Sequence, residues 1–173
     1  MPAANPQGNG KGWTIASVRE ALAAKRISAR ELATEFLARI EKRNPELNAF
    51  LALSPERALA QADRVDALVA RKEPLPPLAG LPLAVKDVLS TRGVVTTCSS
   101  RILAGYRPAY DATAVERLER AGAVMLGKTN CDEFARGHNA ARAQYVLDGQ
   151  RHSGQRRQTL LPRHQCVHAL GLG

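Results

Sequence analysis

Two lysines stand at the ends of apolar runs, where an amine can do acid–base or phosphate chemistry. Lys86 ends the run Leu81-Pro-Leu-Ala-Val85 and is followed at once by Asp87. At a strand exit, such a lysine is either a surface charge or a buried amine. Burial would depress its pKa and make it a usable general base. Spacing alone favours the surface charge. Lys128 completes Gly122-Ala-Val-Met-Leu-Gly127-Lys128-Thr129, which satisfies the G-x-x-x-x-G-K-[ST] pattern of a phosphate-binding loop. That chemistry needs the loop between a strand and a following helix, so that its N–H groups can cradle phosphates. Here the pattern follows a helical segment and its four middle residues read as a hydrophobic strand. A helix-capping glycine and a strand-end glycine explain it better, and no nucleotide site is assigned.

Other residues with chemical potential are weaker. His164-Gln-Cys166-Val-His168, with His152 upstream, holds four metal-ligand types, but no ordered turn of defined spacing surrounds them, so no metal is assigned. Cys98, Cys131 and Cys166 form no paired motif and no even disulfide framework, which suits a reduced, cytoplasmic protein. The polar, Gly/Pro-rich start from Met1 to Trp13 lacks the apolar stretch of a secretory signal. No run approaches the length of a membrane span, so no membrane partner is expected.

Net charge is +9, which invites a nucleic-acid reading, but the excess is unevenly placed. From Phe134 to Gly173 there are six arginines against Asp148 alone. Past Phe134 that stretch has Tyr145 as its single Phe, Tyr or Trp, so stacking recognition of RNA bases has no support there, and electrostatic binding to phosphates is the alternative.

The elements that must carry these residues alternate between helix and strand. Thr14 or Ser17 can cap a first helix with Ile15, Val18 and Leu22 on one face. Ser28-Ala-Arg-Glu31 is a capping box opening a helix with Leu32, Phe36, Leu37 and Ile40 inward, expected to stop before Pro45. Asn48 to Leu53 suits a strand, and Ser54-Pro55 an N-cap and first helical turn. The third helix would bury Ala58, Ala62, Val65 and Val69. Leu81 to Val85 is a strand, Asp111 a cap for a fourth helix carrying Val115 and Leu118, and Gly122 its left-handed stop. Ala123 to Leu126 is a further buried strand. Such alternation predicts an α/β fold with a sheet covered by helices.

Past Gly137 this pattern disappears. All four histidines and five of the seven glutamines lie there, and apolar residues follow neither a helical nor a strand period. The expected organisation is a flexible N-terminus over 1–13, a folded part over 14–137, and a disordered tail over 138–173. The break suggests a shift of reading frame, a splice change or a gene-model error near codon 137.

From Thr14 to Asp132 the chain resembles the amidase signature family. The resemblance runs through Ile27-Ser-Ala-Arg-Glu-Leu32, Asn44-Pro-Glu-Leu-Asn-Ala-Phe50 and Pro77-Leu-Ala-Gly-Leu-Pro-Leu-Ala-Val-Lys-Asp87. It continues with Thr96-Thr-Cys-Ser-Ser-Arg-Ile-Leu103, Tyr110-Asp-Ala-Thr-Ala-Val-Glu-Arg-Leu118, Ala121 to Asn130 and Asp132-Glu-Phe-Ala135. The resemblance implies the N-terminal portion of a mixed sheet wrapped by helices. It also implies a Ser–cis-Ser–Lys triad, in which one serine attacks the amide, a second relays its proton and a neutral lysine accepts it. Lys86 matches the triad lysine. The two serines have no counterpart: after Gly137 the only serine is Ser153, outside any Gly/Ser-rich loop, and Arg136 stands where a small or apolar residue is usual. Cys98, Ser99 and Ser100 lie in a segment the family does not use as nucleophile.

Within the family, the segments look most like the glutamine-hydrolysing A subunits of tRNA-dependent amidotransferases. That implies glutamine as the small amide substrate, partner subunits and, through them, aminoacyl-tRNA. ATP and magnesium would belong to the partner, with no cofactor in this chain. The expectation is a truncated, inactive copy of such a subunit. The rivals are a fragment of a stand-alone amidase, a non-catalytic basic RNA-binding or interaction fragment, and a phosphate-loop NTPase.

Overall fold

The computed structural model describes residues 13–136. The expectations for residues 1–12 and for the tail, including the histidine/Cys166 set, the arginine-rich stretch and Ser153, lie outside the described residues.

Helix α1, Ile15–Ala23, opens on a capping box in which the Thr14 and Ser17 side chains bond each other's backbone N–H groups. Val18 and Leu22 are buried as their spacing requires, but Ile15 points outward at 67% exposure. Trp13, grouped by sequence with the flexible start, instead packs into the core. Helix α2, Ala29–Leu47, begins at the expected Ser28–Glu31 box and buries Leu32, Phe36, Leu37 and Ile40. It does not stop before Pro45 but runs through it to a left-handed cap at Asn48. Proline is tolerated there because only the last turn lies beyond it. That turn is also secured from outside the ladder, by the Asn44 amide, which clamps both the N–H and C=O of Phe50 at 2.8 and 2.9 Å.

Strand β1, Phe50–Leu53, leads into helix α3, Pro55–Arg71, which buries Ala58, Ala62 and Val65. Ser54 occupies the cap position, yet its hydroxyl donates to Met125 O at 3.2 Å rather than capping the helix. Strand β2, Pro82–Lys86, and helix α4, Thr113–Arg120, follow. The cap of α4 is Ala112, not Asp111. The Asp111 carboxylate accepts instead from Arg92 N and Arg57 Nη2, both at 2.9 Å, while Arg57 also grips Glu119 through two bonds of 2.8 Å. One guanidinium thus ties the start of α3 to both ends of the α4 segment. Burial pulls the Arg57 pKa down, but the bonds and charges of Glu119 and Asp111 outweigh it, so the net shift is upward.

Strand β3, Val124–Thr129, lies at the centre of a three-stranded sheet of order β1-β3-β2, antiparallel to β1 and parallel to β2. This is the α/β arrangement expected from the alternating pattern, and its mixed strand directions agree with what the family resemblance implies. Central position explains why β3 is apolar on both faces. Val124 and Leu126 face Leu22, Leu32, Phe36 and Val65 from the helices, whereas Met125 joins Val85, Val94 and Val115 on the other side. Pro82 starts an edge strand, where its missing N–H costs nothing. Gly127 permits the close approach of β1, because a Cβ there would collide with Ala52 O.

Gly122 ends α4 at φ +97° as expected, and a Cβ there would lie 2.8 Å from both Ala79 Cα and Pro76 Cγ. Backbone strain and collision act together, so Gly122→Ala should lower unfolding free energy by about 2–4 kcal/mol. A denaturant midpoint equal to that of the unmodified chain would show that the Pro76–Ala79 turn yields freely.

Candidate active site

Lys86 ends β2 opposite Thr129, so the carboxyl ends of the two parallel strands open side by side. Such ends are where parallel sheets usually bind ligands. The Lys86 side chain is exposed and has no ion-pair or hydrogen-bond partner among the described residues. Its carbonyl accepts Leu89 N–H at 3.0 Å, which turns the chain immediately after the strand.

The next residue points the other way. Asp87 is fully buried, its N–H donating to Thr129 O at 3.0 Å and its C=O accepting from Cys98 N at 3.1 Å. Carboxylate oxygen Oδ2 accepts from Thr97 N at 2.9 Å and from Thr97 Oγ1 at 2.6 Å. Oxygen Oδ1 faces Lys128 Nζ at 3.4 Å. Asp87 therefore holds the Thr96–Ser100 loop against the strand exit.

That loop is bonded onward to the segment after β3. Cys98 and Ser99 both have positive φ, 52° and 54°, a conformation that costs energy in residues with a Cβ and that neighbouring bonds must stabilise. Cys98 O accepts from Phe134 N at 2.9 Å, Ser99 Oγ donates to Asn130 Oδ1 at 3.2 Å, and Ser100 Oγ donates to Glu133 Oε1 at 2.7 Å. The two serines are thus absorbed in structure, and both are fully buried. The Cys98 thiol is pushed up, first by burial and then by the negative fields of Asp87 and Cys131, against a smaller opposing effect of Lys128. A raised thiol pKa means little thiolate at neutral pH. Cys98 should therefore be alkylated by iodoacetamide several-fold more slowly than free cysteine at about pH 7.5; equal rates would reopen it as a nucleophile.

Lys128 is where the structure departs most from simple pattern reading. The Gly127-Lys128-Thr129 part of the phosphate-loop pattern lies within β3, and among the described residues only the single 3-10 turn Glu133–Ala135 follows it. Its ammonium is completely buried and donates to Leu89 O and to Thr96 Oγ1, the latter at 2.8 Å. Burial pushes its pKa below the usual lysine range, and Asp87 offsets only part of that. Phosphate has no access to this amine. The Lys128–Asp87 pair was legible only as a charge inside an apolar strand and an aspartate beside Lys86; neither signal predicts their meeting.

Among the described residues, no cluster of three or more His, Cys, Asp and Glu side chains could hold a metal ion, and no helix is long and apolar enough to cross a membrane.

The amidase family model matches residues 31–150. The chain belongs to the amidase family. It is 59% identical over 123 residues to the A subunit of a glutamyl-tRNA(Gln) amidotransferase from Synechococcus sp. (strain WH7803), across 71% of this chain and 25% of the relative. The corresponding polypeptide of Koribacter versatilis (strain Ellin345) is 51% identical over 132 residues, covering 76% of this chain and 28% of the relative. Among solved structures, the native peptide amidase from Stenotrophomonas maltophilia superimposes with a TM-score of 0.67 at 34% identity, over 76% of this chain and 26% of that one. The chain therefore spans about a quarter of the length of the curated relatives it matches.

Proposed function

We propose that this chain carries the lysine arm of an amide-hydrolysing site acting on glutamine, in the manner of the A subunit of a tRNA-dependent amidotransferase. The observation that carries the reading is Lys86 itself: an unpaired amine at the carboxyl end of a strand parallel to its neighbour, with the adjacent carboxylate turned inward. A lysine accepts a proton only when it is not locked in an ion pair. The names of the curated relatives support glutamine and aminoacyl-tRNA as the wider context.

In this reading a serine hydroxyl attacks the glutamine amide carbonyl, a second serine passes its proton to neutral Lys86, and that proton returns through the relay to the amide nitrogen, so that ammonia leaves as the acyl-serine forms. Water then releases glutamate. The serines and the cover that desolvates Lys86 come from polypeptide that follows the Asp132–Ala135 segment in the full-length relatives. Ammonia is used by partner subunits, which hold the ATP, the magnesium and the aminoacyl-tRNA. No cofactor is assigned to this chain.

The chain by itself should not hydrolyse glutamine, and ammonia release that disappears on Lys86→Ala would overturn that part of the reading. The constructive test grafts residues 14–136 onto the Synechococcus A subunit in place of its matching segment. Glutaminase activity in that graft, lost on Lys86→Ala, is the expected result. The likeness to a peptide amidase favours a second reading, a stand-alone amidase for another amide. Hydrolysis of peptide amides but not glutamine by the graft would select it.

A further inference from the structure

Asp87 poses a problem for any role of Lys86 as a proton acceptor. It is the next residue in the chain, and a carboxylate beside an amine normally pairs with it and holds it charged. Here it does not. The Asp87 side chain is buried, with Oδ2 bonded twice to Thr97 and Oδ1 facing Lys128 Nζ at 3.4 Å. Lys86, on the outward side of the same strand end, is left without a partner among the described residues.

We infer that Lys128 is a positioning residue for Lys86: its buried ammonium holds the Asp87 carboxylate inward and so keeps it from pairing with the neighbouring amine. The inference rests on reading Lys86 as the proton acceptor. Three features of the geometry support it. The Lys128 amine reaches Asp87, Leu89 O and Thr96 Oγ1, so it fastens both the first turn after Lys86 and the loop that grips Asp87. The Asp87 main chain is itself pinned, its N–H to Thr129 O and its C=O to Cys98 N, so only rotation of its side chain can bring the carboxylate to Lys86. Finally, space filling does not explain the pair. Apolar residues of similar volume commonly replace buried ion pairs without loss of stability. Burial also pushes the Lys128 pKa down, which is the cost of keeping a charge where only Asp87 and two oxygens meet it.

The test reads the reactivity of the Lys86 amine in the 173-residue chain, with no turnover required. A short pulse of acetyl-N-hydroxysuccinimide at fixed pH is followed by peptide mass spectrometry, with exposed Lys72 as internal reference. Lys128→Met should slow acetylation of Lys86 relative to Lys72 by about threefold or more, because the uncompensated carboxylate turns to the nearest free cation. Lys128→Met with Asp87→Asn should restore the original ratio. A purely structural role predicts an unchanged ratio, and local unfolding predicts faster acetylation; either result in the single variant overturns the inference, as does failure of the double variant to restore it. If circular dichroism shows Lys128→Met unfolded, Lys128→Gln takes its place, since its amide can still donate toward Leu89 O or Thr96 Oγ1 but carries no charge to face Asp87. About a twofold slowing is then expected, and no change refutes the inference. Glutaminase activity that survives Lys86→Ala in the graft would sink the proton-acceptor reading, whereas these acetylation ratios judge the charge pairing separately.

Discussion

Lys128→Ala should lower the free energy of unfolding by about 3–5 kcal/mol, whereas Lys86→Ala should change it by no more than about 0.5 kcal/mol. The two lysines stand one register position apart across β2 and β3, with Val85 opposite Lys128 and Lys86 opposite Thr129. Their surroundings are opposite in kind. Removing Lys128 leaves Asp87 buried with Oδ1 facing no charge, strips Thr96 Oγ1 of its donor, and leaves Leu89 O the 3.2 Å bond from Thr91 Oγ1. It also opens a cavity against the Val85, Val94, Val115 and Met125 cluster, to which Leu89 is packed. Removing the exposed Lys86 side chain breaks no bond seen among the described residues. Urea denaturation of both variants beside the unmodified chain measures the difference. Equal losses would mean that the buried pair contributes nothing beyond an ordinary surface residue, and Lys128 could not then be what holds the strand exit together.

The largest functional effect is expected at the other lysine. In the graft of residues 14–136 onto the Synechococcus A subunit, Lys86→Ala should reduce kcat/KM for glutamine by about a thousandfold or more. Members of a nucleophile–relay–base unit act together, so loss of one removes most of what the unit does. The decrease should fall mainly on kcat, since an amine that takes a proton in the transition state adds little to ground-state binding. Lys86→Arg should not rescue activity, because a guanidinium stays protonated. A graft whose Lys86→Ala form retains kcat but raises KM would recast Lys86 as a substrate-binding cation. Because Lys86→Ala is expected to leave the fold in place, its loss of turnover reports the chemistry of one side chain and not unfolding.

Much of the local structure was legible in the residues. Both helix starts at Thr14 and Ser28 followed from side chains that satisfy free N–H groups, and Gly122 from the need for a positive φ. Ala123 to Leu126 read correctly as a buried strand because a central strand is apolar on both faces. Local rules failed where a side chain had a better partner far along the chain. Ser54 spends its hydroxyl on Met125 O and Asp111 its carboxylate on Arg57 and Arg92, so neither caps the helix that follows it. Pro45 did not end α2, because Asn44 secures the last turn by holding Phe50.

By itself, the sequence determined the kinds of elements, their order, and an amine at the exit of an apolar strand; each depends on residues within a few positions of one another. Tertiary structure decided which lysine is which. Lys128 carries a formally complete phosphate-loop pattern, and Lys86 sits at an ordinary strand end. Pairing β3 parallel to β2 and antiparallel to β1 places Lys128 beneath the Thr96–Ser100 loop with Asp87, and leaves Lys86 facing out. Burial is a property of the assembled sheet, formed between segments some forty residues apart. No short window of sequence contains the partner that makes a buried charge tolerable.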